Sequence, residues 1–448
     1  MKTCRQILVI YILALSFISA QTLSLDDCIR LATTQNPQVL AAQQELSTML
    51  SQRYQTFTGM LPFAQLTTSY TRLDEAPYTV IDPSMFPFSV PDMEPMRMEM
   101  GKAEMERVQL QITEPFAAQI LTGYALARTG VKQKETNLEK VELNAALDAQ
   151  RAYFQFLQAK NFLRIAKISR IQIQAHIDDL QNMFAQGVIH QKDLLSAKVQ
   201  GSEIELLILQ AEHAVELGRG VLAISIGIPP DSAIDVEDSL IFEDYSYPLD
   251  SVLSWSEIYS IDVELLNIGL HAASQQVTLA MEGLLPSFAA IFSYEYNKPN
   301  RQLENEWYDS WVATGAIQWD IFNWGANISK IKQAKSGKRQ MEYIMQGALD
   351  GIKLQARASY LSLDQKRRKL EISEYELETA SENYRVTNDL FHVGAATNSE
   401  LLDAQSDLTR AEINHYTYLA DFNIAKAEVE YLTGQLNTRL IKILENEE

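Results

Sequence analysis

The chain has 448 residues, room for two or three ordinary domains, and carries 38 Lys and Arg against 58 Asp and Glu, a formal net charge of -20. That balance excludes a nucleic-acid partner, because phosphate neutralisation needs clustered cations, and it excludes a polybasic membrane-surface protein. It suits solubility, or a conduit that tolerates cations better than anions.

Residues 1–20 read as a secretory signal: Lys2 and Arg5 precede the apolar run Ile7–Ile18, and Ile18-Ser19-Ala20 offers a small residue for cleavage. The run is too short to span a bilayer, so the mature chain is expected to begin near Gln21. Cys4 lies in the signal and Cys28 stands alone, which leaves no internal disulfide, and neither follows the pattern of a lipid-modified cysteine. No later segment holds ~18 uncharged apolar residues in a row, so a mature chain that enters lipid must do so as strands.

A first repeat is expected over 21–228: helix, two strands, long helix, Gly turn, return helix. Its strands are predicted near 61–70 and 107–113, where Leu66, Thr68 and Tyr70, then Val108, Leu110 and Ile112, alternate with polar residues. Between them lies the Pro- and Met-rich insert Asp74–Glu106, with Met85, Met93, Met96, Met98, Met100 and Met105. Thioethers suit Cu(I), but five prolines favour an irregular apolar loop, and that reading is preferred. No proline falls between Pro115 and Pro229, and good helix formers fill the stretch, so Ala118–Gln186 is predicted as one helix of roughly 100 Å.

Residues 229–262 form an inter-repeat segment, and 263–434 a second repeat. Its strands are predicted near 286–296 and 311–321. One face of the first carries Phe288, Ala290, Phe292, Tyr294 and Tyr296; one face of the second carries Trp311, Ala313, Gly315, Ile317, Trp319 and Ile321. Each strand is about the length of a tilted transmembrane strand. Trp307, Trp311, Trp319 and Trp324 fit an interfacial aromatic girdle. A helix from Ala326 to Val393 follows, with Leu363, Leu370, Leu377, Tyr384 and Phe391 each seven apart. After Gly394 the pattern restarts with Leu401, Leu408, Phe422 and Val429 beside Ala404, Ala411 and Ala425, coiled-coil patterning with small residues at the seam. Residues 435–448 are expected to be a tail.

The repeat shows in the letters. Leu61-Pro62 with Tyr70 recurs as Leu285-Pro286 with Tyr294. Phe184-Ala185-Gln186-Gly187 then Asp193-Leu194-Leu195 recurs as Phe391-His392-Val393-Gly394 then Glu400-Leu401-Leu402, in step as far as Gly227 and Gly434. Four strands per chain cannot close a barrel, and open edges in lipid cost several kcal/mol per unpaired group. Two chains close around a lumen filled by side chains; three give twelve strands and leave space. Helices about three times longer than a bilayer is thick must project into water.

These features resemble the TolC-like outer-membrane efflux protein family. The opening Leu23-Ser24-Leu25-Asp26-Asp27-Cys28-Ile29 with Leu31-Ala32 and Asn36-Pro37, both Leu-Pro strand starts, Trp319-Asp320-Ile321-Phe322 with Gly325, and both Gly turns carry the resemblance over nearly all of the mature chain. It implies a mixed α and β membrane protein: a trimeric 12-stranded β-barrel in the outer membrane, four strands per chain, continued through the periplasm by a helical coiled-coil barrel. It further implies docking to a periplasmic adaptor (membrane fusion) protein and an inner-membrane pump of RND or ABC type. The matched positions place Glu400 and Asp403 at a narrow periplasmic entrance, as acidic rings, and Gly187, Val188, Val393, Gly394 and Ala395 at adaptor-docking helical tips. Where relatives carry an Arg two residues after the turn glycine this chain has Ala396, which removes that latch for a closed state.

The six histidines lack ligand spacing, and no phosphate loop, nucleophile elbow or other catalytic constellation is found; no enzyme activity, cofactor or metal is expected. The expected function is a passive exit duct of a tripartite efflux or type I secretion system. The alternative is a periplasmic structural coiled-coil protein without a barrel. Nothing in the sequence names the exported substrate.

Overall fold

The computed structural model describes residues 22–82, 94–237, 240–301 and 303–445. The expected signal and two insert methionines, Met85 and Met93, therefore lie outside the described residues. In chain order the elements are β1 (Thr22–Leu23), α1 (Leu25–Gln35), α2 (Pro37–Thr58), β2 (Phe63–Arg72), β3 (Tyr78–Ile81), β4 (Met96–Glu99), β5 (Glu104–Phe116), α3 (Ala118–Ala185) and α4 (Gln191–Ser225). There follow β6 (Asp235–Val236), α5 (Leu249–Tyr259), α6 (Ile261–Glu282), β7 (Ser287–Lys298), β8 (Tyr308–Gln318), α7 (Ala326–His392), α8 (Asn398–Leu432) and α9 (Gln435–Glu445). Helices in corresponding places match in length: α1 and α5 have 11 residues, α2 and α6 have 22, α4 and α8 have 35.

The chain divides into two compact units. One holds residues up to Leu46, Gln133–Asn267 and Ile344 onward. Its core is the seam that the heptads marked. Leu363 and Leu370 of α7 are buried with Phe422, Ala425 and Val429 of α8. Phe156 and Leu157 of α3 are buried with Leu222 and Ala223 of α4 and Ala420 of α8. Fully burying each such Leu or Phe contributes about 1.5–3 kcal/mol, while the alanines keep the helices close. Parallel pairing of β1 with β6 ties the N-terminal segment to the inter-repeat segment. The expected tail is instead a helix, α9, held because Leu436 and Leu440 bury against Ile29, Leu143 and Leu147.

The second unit, Ser47–Lys132 with Ile268–Tyr343, carries one antiparallel sheet in the order β2-β5-β7-β8. Its register aligns Leu66, Leu110, Tyr294 and Trp311 in one row, and Ala64, Ile112, Phe292 and Ala313 in the next. Side chains alternate between faces. One face therefore reads Leu66, Leu110, Ile112, Phe288, Phe292, Trp311 and Ile317; the other is mainly polar, with Gln65, Thr67, Gln109, Gln111, Ser293, Glu295 and Thr314 beside Phe63, Ile291 and Val312.

Two expectations on this unit are corrected. The last strand stops at Gln318, so Trp319 and Ile321 lie beyond it. There the Trp319 indole N–H donates to the Leu284 carbonyl at 3.0 Å, and the chain bends through Trp324 (φ 55) and Gly325 (φ 82) into α7. The insert is not wholly irregular: β3 and β4 form a hairpin, Tyr78 opposite Glu99 and Ile81 opposite Met96. The Arg97 guanidinium lies 3.5 Å over the Tyr78 ring and also pairs with Glu75, which holds that hairpin together.

Five glycines adopt positive φ, for two different reasons. At Gly227 (φ 80) an added Cβ would collide with the Gln35 carbonyl and the Asn36 backbone nitrogen, so α4 must end against α1 without a side chain. At Gly187 (φ 72) nothing lies within 4 Å of that position. Left-handed φ costs an L-residue about 1–2 kcal/mol at either site, and only Gly227 adds a backbone collision. Gly227→Ala should therefore lower the thermal unfolding midpoint of the detergent-solubilised protein well beyond Gly187→Ala. Equal losses would show that α1 yields freely to the new methyl.

Candidate functional site

Two regions concentrate the residues singled out above: the helical turns of the first unit and the sheet of the second. At the end of α3, the Gly187 N–H donates to the Phe184 carbonyl at 2.9 Å and the Val188 N–H to the Met183 carbonyl at 3.0 Å. At the end of α7, Gly394 donates to Phe391 at 3.0 Å and Ala395 to Leu390 at 2.8 Å. This paired pattern satisfies the last helical carbonyls and requires a left-handed residue at the glycine; φ is 72 and 74. The apexes present apolar groups to solvent, with Val188 63% and Val393 77% exposed. Ala395 is exposed as well.

The return helices start differently. His190 precedes α4 without a side-chain cap, whereas Thr397 caps α8 reciprocally with Glu400. The Thr397 backbone N–H donates to the Glu400 carboxylate at 2.7 Å and its hydroxyl does so at 2.9 Å. Those two bonds, the backbone one first, hold the Glu400 carboxyl below the usual carboxylate range. Asp403, one turn on, is likewise exposed. Both acids are thus on the solvent side of α8, but Glu400 also secures the helix start.

The structure adds a residue that sequence reasoning passed over. Asn398 is buried and joins the two turns: its Nδ2 donates to the Asp193 carbonyl at 3.1 Å, and its Oδ1 lies 2.7 Å from His176 Nε2. The His176 ring meets Phe391 edge-on, centroids 5.1 Å apart. Burial pushes the His176 imidazole below its ordinary value, so it is neutral at neutral pH and donates through Nε2. No local signal marks this contact, since the partners stand 222 positions apart.

In the sheet, the four tryptophans gather at two levels. Trp307 stacks on Tyr296 at 4.7 Å, and Trp311 on Phe292 at 6.3 Å. Trp319 and Trp324 sit past the other end of β8, Trp324 against Phe322 at 5.1 Å. An 11-residue strand rises about 37 Å, so the two levels stand at opposite ends of β8. The edge strands β2 and β8 each have a single partner within this sheet. Among the described residues no cluster of three or more His, Cys, Asp or Glu is placed to hold a metal ion, and no helix is long and apolar enough to cross a membrane.

Comparison with known proteins agrees with this geometry. Residues 261–435 match the outer membrane efflux protein family. No curated protein sequence matches the chain. Among solved structures, the Campylobacter jejuni CmeC outer membrane channel is similar with a TM-score of 0.76 at 14% identity, over 94% of this chain and 89% of that one. The outer membrane protein VceC of Vibrio cholerae gives 0.73 at 15% identity, over 92% and 96%. The open state of the Neisseria gonorrhoeae MtrE outer membrane channel gives 0.71 at 16% identity, over 92% and 88%. Residues 261–435 thus match the outer membrane efflux protein family in sequence, and nearly the whole chain shares the fold of solved outer membrane channels.

Proposed function

We propose that three copies of this chain form an outer-membrane exit duct that carries efflux or secretion cargo from a periplasmic adaptor and an inner-membrane pump of RND or ABC type. The observation that carries this reading is the sheet: one face apolar and aromatic, the other mainly polar, and both edges open. A sheet with such faces fits lipid on one side and water on the other only if closed, since open edges in lipid leave backbone groups unpaired. Joining β8 of one copy to β2 of the next gives twelve strands around an aqueous lumen. Matching helix lengths, with glycine turns after α3, α4, α7 and α8, support two structural repeats per chain, 21–228 and 263–434, joined by 229–262. Exposed apolar residues on α4 (Leu195, Val199, Leu206, Leu217) and on α7 (Leu354, Leu361, Ile372) suit burial between copies. The helical part then lies in the periplasm, its turns at Gly187 and Gly394 forming the tip that meets the adaptor. The protein works by opening and closing that tip, and the energy comes from the pump.

Mass measurement in detergent is expected to give three chains; a stable folded monomer overturns the barrel. The acidic rings have their own test in planar bilayers. Glu400→Gln with Asp403→Asn removes charge while keeping a capping group at residue 400, because Gln serves a capping box as Glu does. Cation preference should fall in the double variant. The contribution of the native Glu400 follows from its depressed carboxyl: the charge and cap are intact above the ordinary Glu value of 4.5, and are lost only as pH falls below it, through the lower folded value. Wild-type selectivity in the double variant would place the constriction elsewhere.

A further inference from the structure

In a chain of net charge -20, the first turns of α7 are an exception: Lys330, Lys332, Lys335, Lys338 and Arg339 follow one another with no acid from Ala326 to Met341. Ile328, Lys332, Lys335 and Arg339 are spaced by four, three and four residues, so they share one helix face. All four are exposed. Lys338 has Glu342 at 3.8 Å, while Lys332, Lys335 and Arg339 have no ion pair among the described residues. Directly before this helix stand large apolar side chains in solvent: Ile321 is 80% exposed, Phe322 73% and Trp324 91%. Trp324 also holds a left-handed backbone, unusual for a bulky residue.

We propose that Lys332, Lys335 and Arg339 form a binding site for anionic phospholipid headgroups, with Ile321, Phe322 and Trp324 seated in the adjoining acyl boundary. This rests on the barrel reading above, which puts the Trp319–Trp324 end of β8 at a membrane surface. The distances suit it. Lys332 lies about 9 Å along the helix from Ala326, Lys335 about 14 Å and Arg339 about 20 Å, at 1.5 Å per residue. Helical side chains lean towards the helix N-terminus, here towards the strands, and long cationic arms reach some 6 Å further that way. The Lys332 and Lys335 heads thus fall within about one Debye length of the start of α7, and Arg339 lies next in line behind them. Asp320 is the one exposed acid in the approach from Trp319 to Arg339. The opposite ends of the strands carry a mixture, with Glu104 paired to Arg72 and Glu106 to Lys298 among further acids at Glu304, Glu306 and Asp309, so the stripe of unpaired cations is confined to the α7 end.

The test compares the wild-type protein with the triple variant Lys332→Gln, Lys335→Gln, Arg339→Gln. Gln is as good a helix former as Lys or Arg, so α7 should persist. Both proteins are reconstituted in phosphatidylethanolamine vesicles containing either phosphatidylglycerol or phosphatidylcholine, and the relative association of a labelled lipid of each type is measured. Wild type should favour phosphatidylglycerol by roughly fivefold or more. The preference should fall to near unity in the variant and in about 0.5 M salt. Quenching of tryptophan fluorescence by brominated phosphatidylcholine should be equal in the two proteins, because the aromatic belt is unchanged. An unaltered preference in the variant overturns the site. So does a variant that keeps the preference but changes ion selectivity in planar bilayers, since the stripe then faces the lumen. Failure of wild type to float with vesicles of either composition sinks the barrel reading, and this inference with it.

Discussion

Ala313→Arg should nearly abolish folded protein in the outer membrane, while Thr314→Arg should not. The two residues are neighbours at the middle of β8, both exposed and both small, and point to opposite faces. Ala313 stands opposite Phe292 in the apolar row, and Thr314 belongs to the polar face. In the proposed barrel a cation on the lipid face at the midplane costs about 2–4 kcal/mol per copy, and three copies would multiply the loss. The same side chain in an aqueous lumen costs little and should shift ion selectivity towards anions. The measurements are the level of heat-resistant trimer in outer-membrane fractions and the reversal potential in planar bilayers. Equal loss from both substitutions would mean that neither face meets lipid, and would favour a structural coiled-coil protein without a barrel.

Gly394→Leu is expected to abolish export while leaving barrel insertion and trimers in place. The position is strained for any L-residue, at about 1–2 kcal/mol, but nothing lies within 4 Å of the added Cβ, so no packing is lost. What changes is the apex: a branched side chain joins Val393 and Ala395 at a surface proposed to meet the adaptor. Gly394→Ala carries the same backbone cost without the bulk and should retain most export. Gly187→Leu should act in the same direction, more weakly, because the two turns would contact the adaptor inequivalently. Trimer level, adaptor cross-linking and export are measured together. Loss of trimer in Leu and Ala variants alike would assign the glycine to folding alone; normal cross-linking and export in both Leu variants would remove the docking role.

Much of this protein is set by local pattern. The lack of proline from 116 to 228 and from 300 onward lets helices of 68 and 67 residues form, and the heptads named the residues that bury, such as Leu363, Leu370 and Phe391. Alternation from Phe288 to Tyr296 named the apolar face of β7, because a strand has a period of two whatever its neighbours are. The glycines of both turns were legible because positive φ is a local demand. Tertiary structure decided the rest. The end of β8 is fixed by a hydrogen bond from Trp319 to Leu284, and the C-terminal helix by what Leu436 and Leu440 bury against. Gly227 is needed because α1 passes beside it. Asn398 acquires its role from His176 and Asp193, far away in the chain, and Glu400 proves to be a helix cap as well as an exposed charge. Periodicity fixes which residues leave water, but a hydrogen bond between distant segments depends on register in three dimensions, and no spacing along the chain records that.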